Sequence, residues 1–492
     1  MTESTSKTIV IDPVTRIEGH GKVVVELDDN HNVVDAKLHV VEFRGYERFI
    51  QGHPYWEAPV LMQRICGICF VSHHLAGAKA LDDMIGVGPA SGTALTPTAV
   101  KMRRLGHYAQ MLQSHVTAYF YLVVPEMLFG IDAAPEQRNF IGLIEANPEL
   151  VKRVVRLRKW GQEVIEAVFG KRMHGISSVP GGVNKCLTAA DVERFLHGDD
   201  GLPSIDQVID DAQLGLQMFH DFHDAHRAQV DRFATVPALN MCLVDDAGNV
   251  DYYDGHLRVV DGNREVVREF DYRDYLAHFS ERVEQWSYMK FPYLTDLGPD
   301  AGSVRVGPLA RMNVTDTLPT PLAAEALQRF HAYTDGSANS MTLHTNWART
   351  IEIIHAAEVV RDLLNDPDIV AGDLVVSPGE HAWVGEGVGV VEAPRGTLVH
   401  HYRADRGGNV TFANLIVATT QNNHVLNETV RSVAEDYLGG QAEITEGMMN
   451  AIEVGIRAYD PCLSCATHAL GQMPLSVSLV DSRGHVVDHR VR

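Results

Sequence analysis

Apolar and polar positions along this chain change period several times. The N-terminal stretches KVVVELDD and NVVDAKLHVVEF alternate with period two around the turn-rich DDNHN, which predicts a β-hairpin over residues 20–43. Longer stretches then place apolar residues three and four positions apart, the spacing of one helix face. TPTAVKMRRLGHYAQMLQSHVTAYFYLVVPEML opens with Thr-Pro, a helix-start signal, and NPELVKRVVRLRKWGQEVIEAVFGKR repeats it. SIDQVIDDAQLGLQMFHDFHDAHRAQVDRF and WARTIEIIHAAEVVRDLLND continue the helical period. Strand character returns twice: in MCLVDDAGNVDYYDGHLRVVDGN, a hairpin around Gly248, and in GVGVVEAPRGTLVHHYRADRGGNVTFANLIVATT, a longer meander. A last helix runs from about Glu443 to Tyr459, and PLSVSLVDSRGHVVDHRVR closes the chain as a hairpin about DSRG. The pattern predicts an α+β fold, mainly α with peripheral β. The chain reads as one compact unit: a β-rich N-terminus (1–50), a helical core and β insertions near 240–262 and 386–418.

Composition narrows the function classes. With 492 residues, 45% of them hydrophobic, the chain can bury a large core. Its formal charge of -22 repels phosphate backbones, which argues against a nucleic-acid partner. The chain has no apolar run of 18 residues, so no membrane span is expected. MTESTSKTIVIDPVTRIEGH has neither a secretory apolar run nor an Arg-rich transit pattern, so a cytoplasmic location is expected.

Six cysteines are too few for a disulfide scaffold. Four fall in two Cys-x-x-Cys pairs: Cys66 and Cys69 in QRICGICFVSHH, followed by His73, and Cys462 and Cys465 in YDPCLSCATH, followed by His468. Each pair aims two soft thiolates from one short turn. Four such thiolates suit zinc, an iron–sulfur cluster or nickel. Spacing alone allows a structural zinc site or a disulfide within each pair. Structural zinc, however, ordinarily sits in small modules with ligands close in sequence, whereas these pairs lie at opposite ends of the chain. Cys186 and Cys242 have no partners by spacing and read as small apolar residues. Three charged positions stand out: Glu18 in DPVTRIEGH, Glu47 in EFRGYERF and Arg395 in VEAPRGTLVHH. Singly, they read as a surface acid, an ordinary ion pair and a strand-end charge. The glycines of GVGVVEAPRG run into a strand rather than a helix, so they are no dinucleotide fingerprint.

Taken together, RIEGHG, RICGICFVSH, EAPRG and DPCLSCATH, in that order, resemble the large, catalytic subunit of nickel–iron hydrogenases, over essentially the whole length. The flanks HVVEFRGYERFIQGHPYWEAPVLMQRICGICFVSHHLAGAKALDD and GHYAQMLQSHVTAYFYLVVPEMLFG look most like the soluble bidirectional, NAD-linked type. The resemblance implies reversible heterolytic cleavage of dihydrogen at nickel held by all four thiolates. Cys66 and Cys462 would be terminal ligands, and Cys69 and Cys465 would bridge to an iron that carries carbonyl and cyanide ligands. Cys462 would act as base and Glu18 would relay its proton. Arg395 would sit over the open metal site, with Asp460 as its partner, and His73 would donate to a bridging sulfur. Glu47, His468 and the carbonyl of Leu415 would hold a magnesium-type ion (Mg2+). The resemblance further implies an iron–sulfur small subunit, together with a flavin (FMN) and iron–sulfur diaphorase that passes electrons to NAD. Maturation proteins would load the metals before an endopeptidase cuts between His468 and Ala469, removing residues 469–492. Alternatives are a deazaflavin- or NADP-linked soluble hydrogenase and a zinc-stabilised non-catalytic subunit. One departure is visible: many family members carry an acid in the helix after the first motif, and LQSHVTAYFYLVV has none.

Overall fold

The computed structural model describes residues 7–88, 92–376, 383–467, 476–480 and 486–491. The N-terminal strands β1 (Lys7–Ile11), β2 (Gly21–Leu27) and β3 (Val33–Val40) form an antiparallel sheet in that order, with β2–β3 as the expected hairpin. In β2 the residues Gly21, Val23, Val25 and Leu27 are buried and those between are not, so the period-two pattern sets the face. Helix α1 (Phe70–Met84) starts directly after Cys69. Helix α2 (Pro97–Val116) is capped by Thr96, whose hydroxyl accepts from Ala99 N–H at 3.1 Å, and continues into a π-helical stretch, Thr117–Val123. Helices α3 (Pro148–Phe169) and α4 (Ile205–Arg232) begin at side-chain caps from Asn147 and Ser204.

The strands β4 (Leu239–Val244), β5 (His256–Val260) and β6 (Val266–Phe270) join β7 (Val304–Arg305) in a sheet of order β7-β4-β5-β6. The hairpin predicted around Gly248 is thus a pair of strands linked by residues 245–255, within a sheet of four strands. Helices α5 (Pro308–Val314) and α6 (His344–Leu364) follow, then the meander β8 (Glu386–Ala393), β9 (Gly396–Ala404) and β10 (Val410–Ile416). Helices α7 (Asn423–Leu438) and α8 (Glu446–Ala458) lead to the second cysteine pair. Beyond it, β11 (Ser476–Val480) and β12 (Val486–Val491) pair antiparallel, as the alternation predicts.

The α+β class holds, but the meander is not peripheral. Residues from Gly387 in β8 to Tyr402 in β9 are buried. A Cβ at Gly387 or Gly389 would meet the carbonyl oxygens of Ala80 or Ala76 at 2.0 Å, so these glycines let β8 lie directly on α1. Helix α6 is buried on every side from His344 to Glu358, and its polar residues are therefore interior. No helix among the described residues is long and apolar enough to cross a membrane.

Candidate metal centre

A 3-10 turn, Gln63–Ile65, delivers Cys66 in extended conformation, and Cys69 is the residue that starts α1. The N–H groups of Ile68 and Cys69 donate to Cys66 Sγ at 3.2 and 3.3 Å. The second pair flanks the start of a four-residue helix, Leu463–Ala466. That turn is held by other parts of the chain. Leu463 N–H donates to Glu18 O at 2.9 Å, and Cys462 N–H donates to Thr419 Oγ1 at 3.0 Å. Gly19 has φ +85°, and a Cβ there would meet Leu463 Cβ and Ser464 N at 2.8 Å, so RIEGH needs its glycine for this approach.

The two ends converge. Cys66 and Cys462 sulfurs are 3.5 Å apart, Cys69 and Cys465 3.4 Å, and Cys462 and Cys465 2.7 Å. All four lie within 4.8 Å of one another and all are buried. None is in a disulfide. Hydrogen bonds from Cys462, Cys465 and Cys69 hold the Cys66 thiol well below its usual range, against burial and with help from Arg395. Burial, reinforced by neighbouring sulfurs, pushes Cys462 and Cys465 well up. Four thiols in one dry pocket cannot all ionise without a cation, and a bound metal removes that conflict. The donor set therefore fits a thiophilic metal centre.

The charged residues expected around it are present. Glu18 Oε2 lies 3.0 Å from Cys462 Sγ and accepts from Ser464 N–H at 3.0 Å. Arg395 donates through Nε to Asp460 O and through Nη2 to Asp460 Oδ1 at 3.0 Å, while its buried Nη1 has no hydrogen-bond partner. Burial works against the Arg395 charge, but Asp460 and the sulfurs of Cys462, Cys69 and Cys66 raise its pKa overall. Burial also pushes Asp460 up, against the pull of Arg395 and Arg349. His73 Nδ1 lies 3.0 Å from His400 Nε2, and His400 Nδ1 lies 2.6 Å from Tyr402 Oη. Glu47 is buried and accepts from Leu415 N–H at 2.9 Å, so the two come together through the Leu415 amide, where its carbonyl was expected. His468 and Ala469 lie outside the described residues.

Sequence reasoning missed a buried ionic cluster next to the centre. Arg311 pairs with Glu352 and Glu392, Tyr252 donates to Glu352 at 2.9 Å, and His115 Nε2 lies 2.9 Å from Glu352. His115 belongs to the acid-free LQSHV stretch, and the acid it faces comes from α6. A second His/Asp group, His223, Asp231 and His344, is a hydrogen-bonded knot. Asn339 Nδ2 donates to His344 Nδ1 at 2.8 Å, its own oxygen being taken by Met341 N–H. That leaves the His344 proton on Nε2, facing Asp231 Oδ1 at 3.3 Å.

Long helices close over four buried cysteine sulfurs from both ends of the chain, a donor set that fits a protein built around a soft metal ion. The family profile of nickel-dependent hydrogenases matches residues 44–126 and 226–468, and a HoxL-like profile matches residues 8–43. The chain belongs to the nickel-dependent hydrogenase family and is an oxidoreductase subunit of the large type. It is 75% identical to the NAD-reducing hydrogenase HoxS subunit beta of Cupriavidus necator, over 99% of this chain and 100% of that one. It is 39% identical to an F420-non-reducing hydrogenase subunit of Methanothermobacter thermautotrophicus, over 97% of this chain and 99% of that one. A crystal structure of an NAD+-reducing [NiFe]-hydrogenase in the H2-reduced state aligns with TM-score 0.90 and 45% identity, over 95% of this chain and 100% of that one. The Ni-Fe-Se hydrogenase of D. vulgaris Hildenborough, at 22% identity and TM-score 0.74, shares the fold.

Proposed function

We propose that this chain is the hydrogen-activating subunit of an NAD-linked hydrogenase, interconverting dihydrogen with two protons and two electrons. The observation that carries the reading is the set of four buried sulfurs with Glu18 on one of them. Cys66, Cys69, Cys462 and Cys465 would hold nickel, with Cys69 and Cys465 shared with an iron bearing carbonyl and cyanide ligands. When bound, the metals supply Lewis acidity and the redox change that splits dihydrogen. The chain's own residues handle the proton. The Cys462 thiolate accepts it, and Glu18 Oε2 receives it across 3.0 Å. Ser464 N–H keeps that oxygen aimed at the sulfur. Asp460 fixes the plane of Arg395, and the unbonded Nη1 would be the donor left to hold a cyanide on the iron. His73, whose Nδ1 faces His400, would donate to a bridging sulfur. Glu47, the Leu415 region and His468 would hold Mg2+.

Four of the six cysteines are at the centre, and the remaining two, Cys186 and Cys242, are too few to ligate an iron–sulfur relay, so electrons leave through partners. The first is an iron–sulfur small subunit. The next is a diaphorase with FMN and iron–sulfur clusters, ending at NAD in the cytoplasm; the 75% identical relative is an NAD-reducing enzyme's subunit. Residues 1–468 would be the mature unit. Maturation proteins load the metals and an endopeptidase then removes 469–492. The family match ending at residue 468 supports that boundary.

Infrared spectroscopy of the purified complex should reveal metal-bound carbonyl and cyanide stretches. Zinc alone, without them, would sink the reading. In the same complex, Glu18→Gln is expected to abolish turnover at normal nickel content; wild-type hydrogen oxidation in that variant removes Glu18 from the proton path.

A further inference from the structure

Arg395 emerges from a loop that is gripped from outside. Arg311, on α5, has a fully buried side chain. Its five N–H donors face five acceptors. Nε and Nη2 hold the two oxygens of Glu352 at 2.5 and 2.7 Å. Nη1 donates to Glu392 Oε2 and Ala393 O, both at 2.9 Å, and Nη2 also donates to Pro394 O at 3.1 Å. Three successive residues before Arg395 are therefore tied to one guanidinium. Glu392 is fixed in turn by Leu243 N–H at 3.0 Å and Thr397 Oγ1 at 2.7 Å. The N-terminal end of α5 presses on the other side of the loop. Gly307 has φ +97°, and a Cβ there would meet Arg395 O at 2.6 Å; a Cβ at Gly396 would meet Gly307 N at 2.6 Å.

Such a cluster is a poor stability device. Buried ion pairs lose in desolvation much of what they gain in attraction, and apolar residues of similar size often serve the fold as well. What five directed bonds supply and apolar packing does not is a fixed main-chain position. We infer that Arg311 is a positioning residue for Arg395: it sets the point from which the Arg395 side chain departs, and so where Nη1 stands relative to the four sulfurs. Arg311 itself has no donor left for substrate or metal ligands. The inference rests on the reading of Arg395 as the arginine over the metal site.

The test uses the assembled holoenzyme with three substitutions: Arg395→Lys as reference, Arg311→Met, which deletes the clamp, and Gly307→Ala, which pushes on the Arg395 carbonyl without removing a charge. Nickel content, turnover and the infrared cyanide stretches are measured for each. Arg311→Met and Gly307→Ala should retain nickel, lose turnover by roughly tenfold or more, as a reacting group displaced by about 1 Å does, and shift the cyanide bands as Arg395→Lys does. Wild-type bands in both variants, beside shifted bands in Arg395→Lys, overturn the inference even if turnover falls. If Arg311→Met fails to fold or to load nickel, Gly307→Ala decides alone: shifted bands support the clamp, unshifted bands end it. Unchanged bands and turnover in Arg395→Lys would instead overturn the reading of Arg395, and the clamp's role with it.

Discussion

The two cysteine turns share one spacing and little else. Cys66 and Cys69 run directly into the fifteen residues of α1, buried from Phe70 to Asp82. The first free amides of that helix, Val71 and Ser72, donate to Gln110 Oε1 at 2.7 and 3.3 Å. Cys462 and Cys465 sit on a helix of four residues that straddles a seam. Its cysteines belong to the main apolar cluster, while Leu463 and Ala466 belong to a second one, built from the N-terminal sheet, α7 and α8. The first turn is a fixture of the core. The second takes its shape from distant residues: Glu18, Gly19 and Thr419. A site assembled this way has one half built into the core and one half held by contacts from distant segments, an asymmetry that suits the proposed loading of metal before the tail is removed.

The comparison breaks first at the metal. Cys66→Ser and Cys465→Ser are each expected to abolish nickel retention, because a hydroxyl is a poor ligand for a soft site. Metal analysis of the purified complex decides it. Nickel kept by one variant and lost by the other would show that the two turns are not equal partners in binding.

Glycines sharpen the contrast. A Cβ at Gly67, in the first turn, would make only an ordinary 3.5 Å contact with Met173 Cε. At Gly19 it would strike the second turn at 2.8 Å with φ at +85°. Gly19→Ala should displace Glu18 from Cys462 and lower turnover by roughly a hundredfold, while Gly67→Ala leaves turnover near wild type. Equal effects in a hydrogen-oxidation assay would erase the distinction.

The core around the first turn also carries a pH signature. His74 is fully buried: Ser178 N–H donates to its Nε2 and its Nδ1 faces Pro59 O, both at 3.1 Å, which fixes the neutral ring. Burial lowers its pKa from 6.5 to about 4. Below pH 6.5 the unfolded chain binds a proton that the folded chain refuses, so stability is complete above 6.5 and falls as pH drops toward 4. One such group contributes about 3 kcal/mol to that loss. Unfolding midpoints measured across this range should slope downward, and His74→Gln should flatten the slope.

Much of this architecture is legible in local pattern. Val23, Val25 and Leu27 mark a buried strand face, and Thr96, Asn147 and Ser204 mark helix starts, because caps and alternation are chemistry between near neighbours. The cysteine pairs are legible as motifs. Arg311, Glu352 and Glu392 are not. They come from three elements, and α6 is buried on every side, so no polar stripe flags Glu352. The interior placement of β8 was hidden for a related reason: its glycines serve contact with α1, which only the tertiary fold reveals.

The smallest effect tests the same seam one bond at a time. Cys462 N–H has Thr419 Oγ1 as its acceptor, and valine keeps the shape of threonine without the oxygen. Thr419→Val leaves a buried amide unsatisfied, at a cost of about 1–3 kcal/mol. In the half built into the core, Gln110→Leu strips two amides of their acceptor, yet α1 is held by its whole buried length. Hydrogen exchange should therefore rise only around residues 460–467 in Thr419→Val, while α1 stays protected in both variants. Exchange that rises throughout α1 in Gln110→Leu would mean that the first turn, too, depends on a single side chain, and that the two halves of the site do not differ in this way.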